Sequence, residues 1–323
     1  MATNPNPRIL TRTRFVLAAL EATYAVDAAP DAAVNAILCK SSLSITPMES
    51  SQVKRDLLVP YMGDLGAVLA DTYVKIDFEV ELAGSGTPGT APGMDPLLQT
   101  CGLACTLVDK TSATYSPVSS SFSSATLYFY GQTDQGTAVL HKITGARGDF
   151  ELDLQTGQIP TIKFTLMGLY NAPTGVSAPA GVQYGKFMTP VVANATNTAP
   201  VSIFGLTNPT LNKLQFKCGN KTDFMNMIGD QNILLSDRQS SGQIDFEALT
   251  PNIHDFFAAA LNGAVTAASI SHGTNAGNIV TINVPYLQGL NPAYSDNKGV
   301  QMFQVPFIAQ PKAGNDEFSL AFS

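Results

Sequence analysis

The chain has 323 residues and a formal charge of −7, with only 13% of its residues charged, against about 25% in ordinary soluble domains. That length supplies core for about two domains at roughly 150 residues each, which excludes a disulfide-stapled miniature fold, and 45% hydrophobic content excludes intrinsic disorder. The acidic balance argues against generic nucleic-acid binding, which needs basic patches to displace counterions from phosphates.

Residues 1–35 read as a polar, alanine-rich N-terminal arm with little strand character. Arg8, Arg12 and Arg14 precede the apolar run Phe15 to Leu20, but Glu21 closes it after six residues, short of the 7–15 or so of a secretion signal. A strand is predicted over 37–45, then a loop over 46–71 containing Lys54, Arg55, Pro60 and Gly63. From Thr72 to Leu82 the chain alternates. Tyr73, Lys75, Asp77, Glu79 and Glu81 point one way and Val74, Ile76, Phe78, Val80 and Leu82 the other, the period of a strand with one wet face.

A Gly/Pro-rich insert over 84–95, including Pro88 and Pro92, leads into a short helix near 96–102, with Asp95 as the expected N-cap and Pro96 at its first position. Strands follow at 125–130, 137–144, 149–154 and 161–169, separated by glycine turns. Residues 171–208, broken by Pro173, Pro179, Pro190 and Pro200, read as a linker or surface excursion. The later elements are a strand at 211–218, an irregular stretch, a strand at 243–249, a helix at 253–262 ending on Gly263, and strands at 279–284, 300–308 and 318–322. This order is mainly β, not an alternating βαβ pattern.

The second half reads as a diverged copy of the first. Ile76-Asp77-Phe78-Glu79 recurs as Ile244-Asp245-Phe246-Glu247 at an offset of 168, and Lys163-Phe164-Thr165-Leu166 resembles Glu317-Phe318-Ser319-Leu320 at an offset of 154. The domain division is therefore an arm (1–35), a first β unit (36–170), a linker (171–208) and a second β unit (209–323).

Enzyme motifs are weak. The three histidines, His141, His254 and His272, are scattered and lack metal-ligand spacing. Cys101 and Cys105 are placed four apart on a helix, and the four cysteines read as buried thiols in a reducing compartment. Gly84-Ser85-Gly86-Thr87-Pro88-Gly89 fits a dinucleotide-loop pattern, yet its prolines and the missing βαβ context argue for a flexible loop. Arg147-Gly148-Asp149 is read as a turn between two strands, and the sequons at Asn194 and Asn220 carry meaning only in a secretory pathway. The pairs Asp77/Glu79 and Glu151/Asp153 share strand faces, but a glycosidase site usually adds aromatic platforms and the chain has no Trp. Neither a catalytic residue nor a cofactor or metal site is predicted. No stretch reaches the roughly 20 apolar residues of a membrane span, so a soluble protein without membrane insertion is expected.

Three segments carry a family resemblance: Arg12-Thr13-Arg14-Phe15 through Leu20-Glu21-Ala22-Thr23-Tyr24; Ala28-Ala29-Pro30 leading to Asn35-Ala36-Ile37-Leu38; and Leu82-Ala83-Gly84-Ser85-Gly86 with Ala91-Pro92-Gly93 and the Leu97-Leu98…Cys101-Gly102 helix. Through them the chain resembles the major tail tube proteins of phages with long flexible tails, over its first half directly and over the second through the repeat. The resemblance implies a β-sandwich or barrel with a short flanking helix, related in fold to type VI secretion tubes. It implies self-assembly into stacked rings that conduct genome DNA during ejection, contacts with tape measure, tail terminator and tip proteins, and a virion location after assembly in the host cytoplasm. With two units per chain, a homotrimeric ring of pseudo-sixfold symmetry is expected, the alternative being a hexamer.

Acidic lumen residues would repel phosphates and let DNA slide; the candidates are Asp77, Glu79, Glu151, Asp153, Asp245 and Glu247. Candidates for ring or stacking contacts are Arg12, Arg14, Lys54, Arg55, Pro88 and Pro92, together with the long segments that contain them. The competing reading is a carbohydrate-binding or adhesive β-sandwich, for which Tyr128, Phe129 and Tyr130 form the densest aromatic cluster.

Overall fold

A computed structural model describes residues 6–323. The first half comprises β1 (Phe15–Leu20), β2 (Ala36–Ile37), β3 (Ser44–Lys54), β4 (Ala67–Glu81), α1 (Asp95–Thr100), β5 (Leu103–Val108), β6 (Ser112–Pro117), β7 (Ala125–Gln132), β8 (Thr137–Gln155), β9 (Thr161–Tyr170) and β10 (Thr174–Ser177). The second comprises β11 (Val201–Ile203), β12 (Leu206–Thr207), β13 (Leu211–Lys217), β14 (Asn220–Met227), β15 (Asp230–Arg238), β16 (Ser241–Glu247), α2 (Phe256–Leu261), β17 (Val265–His272), β18 (Val280–Gly289), β19 (Ala293–Asn297), β20 (Val300–Ala309) and β21 (Ser319–Phe322). The fold is a mainly antiparallel β-sandwich; its sheets do not close into a barrel.

An inner sheet of eight strands runs in the order β3-β4-β9-β8-β13-β16-β20-β19. Behind it lie the outer strands β2-β1-β7-β8-β10, all of the first half, and β12-β11-β17-β18-β21-β6-β5, in which the first-half hairpin β5–β6 joins strands of the second half through the β6–β21 pairing. Strand β8 serves both layers. It pairs with β7 over Ala138–Ala146 and with β10 over Thr137–Leu140, with β9 from Ile143 through its irregularity at Thr144/Arg147 to Asp153, and with β13 over Glu151–Gln155. A register irregularity of this kind bends a strand from one layer into the other.

The core follows from the alternation. Ile76, Phe78 and Val80 on β4, Phe150 and Leu152 on β8, Phe164 on β9, Phe216 on β13 and Phe246 on β16 are all buried between the layers. One apolar cluster runs through both halves without a break. The insert after Gly84 seals one end, where the Gly84 amide donates to Asn278 Oδ1 at 2.7 Å and that of Gly86 to Gly277 O at 2.9 Å. A Cβ at Gly84 would stand 2.0 Å from Gly277 O, which explains the glycine there.

Several sequence expectations need correction. The segment read as an arm contains β1, whose Phe15 to Ala18 are all buried; a strand buried on both faces shows no alternation. The predicted strand over 37–45 divides into β2 and the start of β3, and the supposed loop at 46–71 is largely the β3–β4 hairpin. The 171–208 segment carries β10, β11 and β12, and the irregular stretch after 218 is the β14–β15 hairpin. Arg147-Gly148-Asp149 lies within continuous strand β8, not in a turn. Helix α1 begins at Asp95, with Met94 in the cap position; the Asp95 carboxylate instead accepts from Tyr115 Oη at 2.7 Å and Gln99 Nε2 at 2.8 Å. Helix α2 is shorter than predicted, because Asp255 caps it by accepting from the Phe257 and Ala258 amides. Cys101 ends α1 while Cys105 lies on β5, so the two do not share a helix.

The two matched words fall differently on the pairing. Strand β4 lies between β3 and β9, and β16 lies between β13 and β20, so the Ile-Asp-Phe-Glu match joins equivalent strands. The other match does not. Strand β9 corresponds to β20, with Phe164 and Phe303 in equivalent places, whereas Phe318 precedes outer strand β21.

Candidate assembly and channel surface

The polar face of the inner sheet gathers side chains from both halves, because residues two apart on a strand share a face and the registers set them in rows. One row reads Glu79, Lys163, Glu151, Lys217 and Ser241; the next reads Glu81, Thr161, Asp153, Gln215 and Gln243. Three of the predicted acids in the first half are ion-paired: Glu79 with Lys40 at 3.1 Å, Glu151 with Lys217 at 2.6 Å and Asp153 with Lys213 at 3.5 Å. Asp77 accepts from Thr165 Oγ1 at 2.7 Å. The hydrogen bond to Glu151 raises the Lys217 pKa, and burial raises that of the neighbouring Asp149.

In the second half Asp245 lies on the corresponding face but is buried, accepting from Gln243 Nε2 at 2.7 Å and Gln304 Nε2 at 3.4 Å. Glu247, at the strand end, is exposed. The six carboxylates thus occupy one face of one sheet, but it is a mixed-charge face and not an acidic one. Sequence reasoning passed over the lysines, although Lys163, Lys213 and Lys217 have the same strand parity as the acids they meet.

Of the predicted contact residues, Arg12 is exposed and Arg14 donates through Nε to Thr11 O at 2.8 Å; both lie beside a groove lined by Ile37, Lys40 and Tyr184. Lys54 and Arg55 stand at the exposed end of the β3–β4 hairpin, where the Arg55 amide donates to Gly66 O. Pro88 is partly covered. Pro92 is buried within its own chain, so it offers no surface to a neighbour and leaves the contact set.

The aromatic cluster does not form a ligand platform. Phe129 and Tyr130 are core residues, and Tyr128 donates to Asp27. Burial raises the pKa of Cys101 and of Cys218, holding both thiols protonated. Among the described residues no group of three or more His, Cys, Asp or Glu is placed to hold a metal ion, and no helix is long and apolar enough to cross a membrane.

The face has two open ends. Strand β3 pairs with β4 and β19 with β20, each leaving its other edge free of partners among the described residues. Long unpaired edges are a liability in a protein that stays alone, and a template in one that assembles. A search of curated proteins found no match. A family profile described as phage tail tube protein matches residues 11–311, and on that match over nearly the whole sequence the chain belongs to the phage tail tube protein family.

Proposed function

We propose that three copies of this chain close a ring of pseudo-sixfold symmetry, each copy supplying two tube units, residues 36–170 and 209–323, and that stacked rings form the conduit for genome DNA. The carrying observation is the antiparallel pairing of β8 with β13, which joins the far edge of the first four-stranded unit to the near edge of the second. Strands β19 and β3 are the equivalent edges left over, and pairing β19 with β3 of the next copy repeats the internal junction. A head-to-tail contact whose rotation closes gives a ring. Closure removes every free edge of the inner sheet.

In this arrangement the face of Asp77, Glu79, Glu151 and Asp153 lines the channel, with Asp245 beneath it and Glu247 at its rim. Lysines already held by carboxylates give a hydrated wall that does not grip phosphates. The tube assembles inside the infected cell and meets tape measure, terminator and tip proteins at its ends and in its lumen. Electron microscopy of the purified protein across a concentration series tests the reading. Hollow rings with threefold end views are expected; a compact monomer at every concentration, with tail-tip components added, would refute it, and six chains per ring would overturn the trimer.

A further inference from the structure

The β3–β4 hairpin extends beyond the inner sheet as an arm. It kinks at Asp71 (φ 53°), continues through the Ser51–Lys54 and Ala67–Ala70 pairing, and ends in a loop with Leu58 and Met62 fully exposed and Tyr61 largely so. An apolar tip of this kind marks a docking element. Its counterpart in the second half is the β14–β15 hairpin, since the 168-residue offset carries Asp71 onto Gln239, where β15 gives way to β16.

That counterpart is docked, and on the neighbouring unit. Across the β8–β13 junction it reaches back onto the first half: Phe224 packs on Tyr73 at 5.2 Å between centroids, Asn226 Nδ2 donates to Asp71 Oδ1 at 2.9 Å, and the Ile233 amide donates to Tyr24 Oη at 2.6 Å. Leu235 lies over Gly102 at the end of α1, and Arg238 Nη1 donates to Val118 O. The two helices show the consequence. Helix α1 buries Leu97, Leu98 and Thr100; α2 buries Phe256 and leaves Leu261 89% exposed. Beside it Phe257 meets Tyr294 of the free strand β19 at 5.9 Å. Tyr294 is 54% exposed, whereas Phe150, its equivalent on β8, is covered across the junction by Phe216 at 6.3 Å.

We infer that the β3–β4 arm of one copy docks across the ring seam onto the α2–β19 face of the preceding copy, burying Leu58, Tyr61 and Met62 against Phe257, Leu261 and Tyr294. The inference rests on the ring reading above and adds the partner surface: an uncovered helix end and an unanchored apolar arm are the two halves of one contact whose internal version is already made.

Full-length protein carrying the photo-crosslinker benzoylphenylalanine in place of Leu58 is assembled, irradiated and mapped by mass spectrometry. Crosslinks between chains within single rings, ending in 253–265 or 293–297, are expected. In parallel, Leu261→Asp is expected to raise the concentration for half-assembly at least about tenfold, the loss of one moderate interface anchor, with the monomer's thermal midpoint unchanged. Rings that form with crosslinks ending elsewhere, on a stacked ring included, or an unaltered assembly threshold for Leu261→Asp, would overturn the docking and leave the ring reading standing. Failure of the parent chain to form rings would remove both.

Discussion

Phe150 and Phe216 hold their ring centroids 6.3 Å apart across the β8–β13 junction, and Phe318 packs on both, at 6.2 Å and 4.7 Å. All three rings are buried, so the two halves of the chain are joined by a shared core as well as a shared sheet.

Phe216→Ala is therefore expected to destabilise the whole chain by about 3–5 kcal/mol, the usual cost of removing a buried aromatic ring. Urea unfolding followed by far-ultraviolet circular dichroism and tyrosine fluorescence should give one transition for both halves. Two resolved transitions, with Phe216→Ala shifting one alone, would show that the two halves fold independently.

Arg238 and Glu317 form an ion pair at 2.8 Å with side chains only 10% and 11% exposed, fastening β15 near the segment before β21. Arg238→Met would leave a buried carboxylate without its partner, a loss of about 3–5 kcal/mol. The double change Arg238→Met with Glu317→Leu should recover a large part of it, which a thermodynamic cycle reads directly.

His272 is buried, with Nδ1 at 2.9 Å from Thr198 Oγ1 and Nε2 at 3.1 Å from Val191 O. Burial lowers its pKa, opposed in part by the Val191 bond. The folded chain thus binds the proton less readily than the unfolded chain. Its contribution to stability is present above the ordinary histidine value of 6.5 and is lost as pH falls below that value toward the lowered folded one. Thermal midpoints measured from pH 7.5 to 5 should fall, and less steeply in His272→Gln; identical slopes would remove His272 as the cause.

Glu151 and Lys217 are each about half exposed, so reversing the acid should cost under about 1 kcal/mol. Its effect belongs to the channel. Glu151→Lys with Asp153→Lys would line the face with cations and make assembled tubes retain DNA in a salt-sensitive way, while parent tubes release it. Equal DNA retention by both, in a filter-binding series over salt, would place this face away from the lumen.

The sequence determined the strands with one wet face. The alternation of β4 and the repeated Ile-Asp-Phe-Glu word fixed two equivalent strands, their core side and the parity of Asp77, Glu79, Asp245 and Glu247. Elements without such a pattern were not legible: β1 is buried on both faces, β3 is largely exposed on both, and the kinked β8 imitates two strands at Arg147-Gly148-Asp149. Only the tertiary structure decided which strands are neighbours. Pairing β8 with β13 brings Lys213 and Lys217 to Asp153 and Glu151, adding two cations to a face that Lys163 already makes mixed, and it leaves β3 and β19 as free edges. The physical reason is that side-chain periodicity is a local consequence of burial and fixes which face a residue takes, whereas the choice of neighbouring strand joins residues tens of positions apart and is not written in any local period.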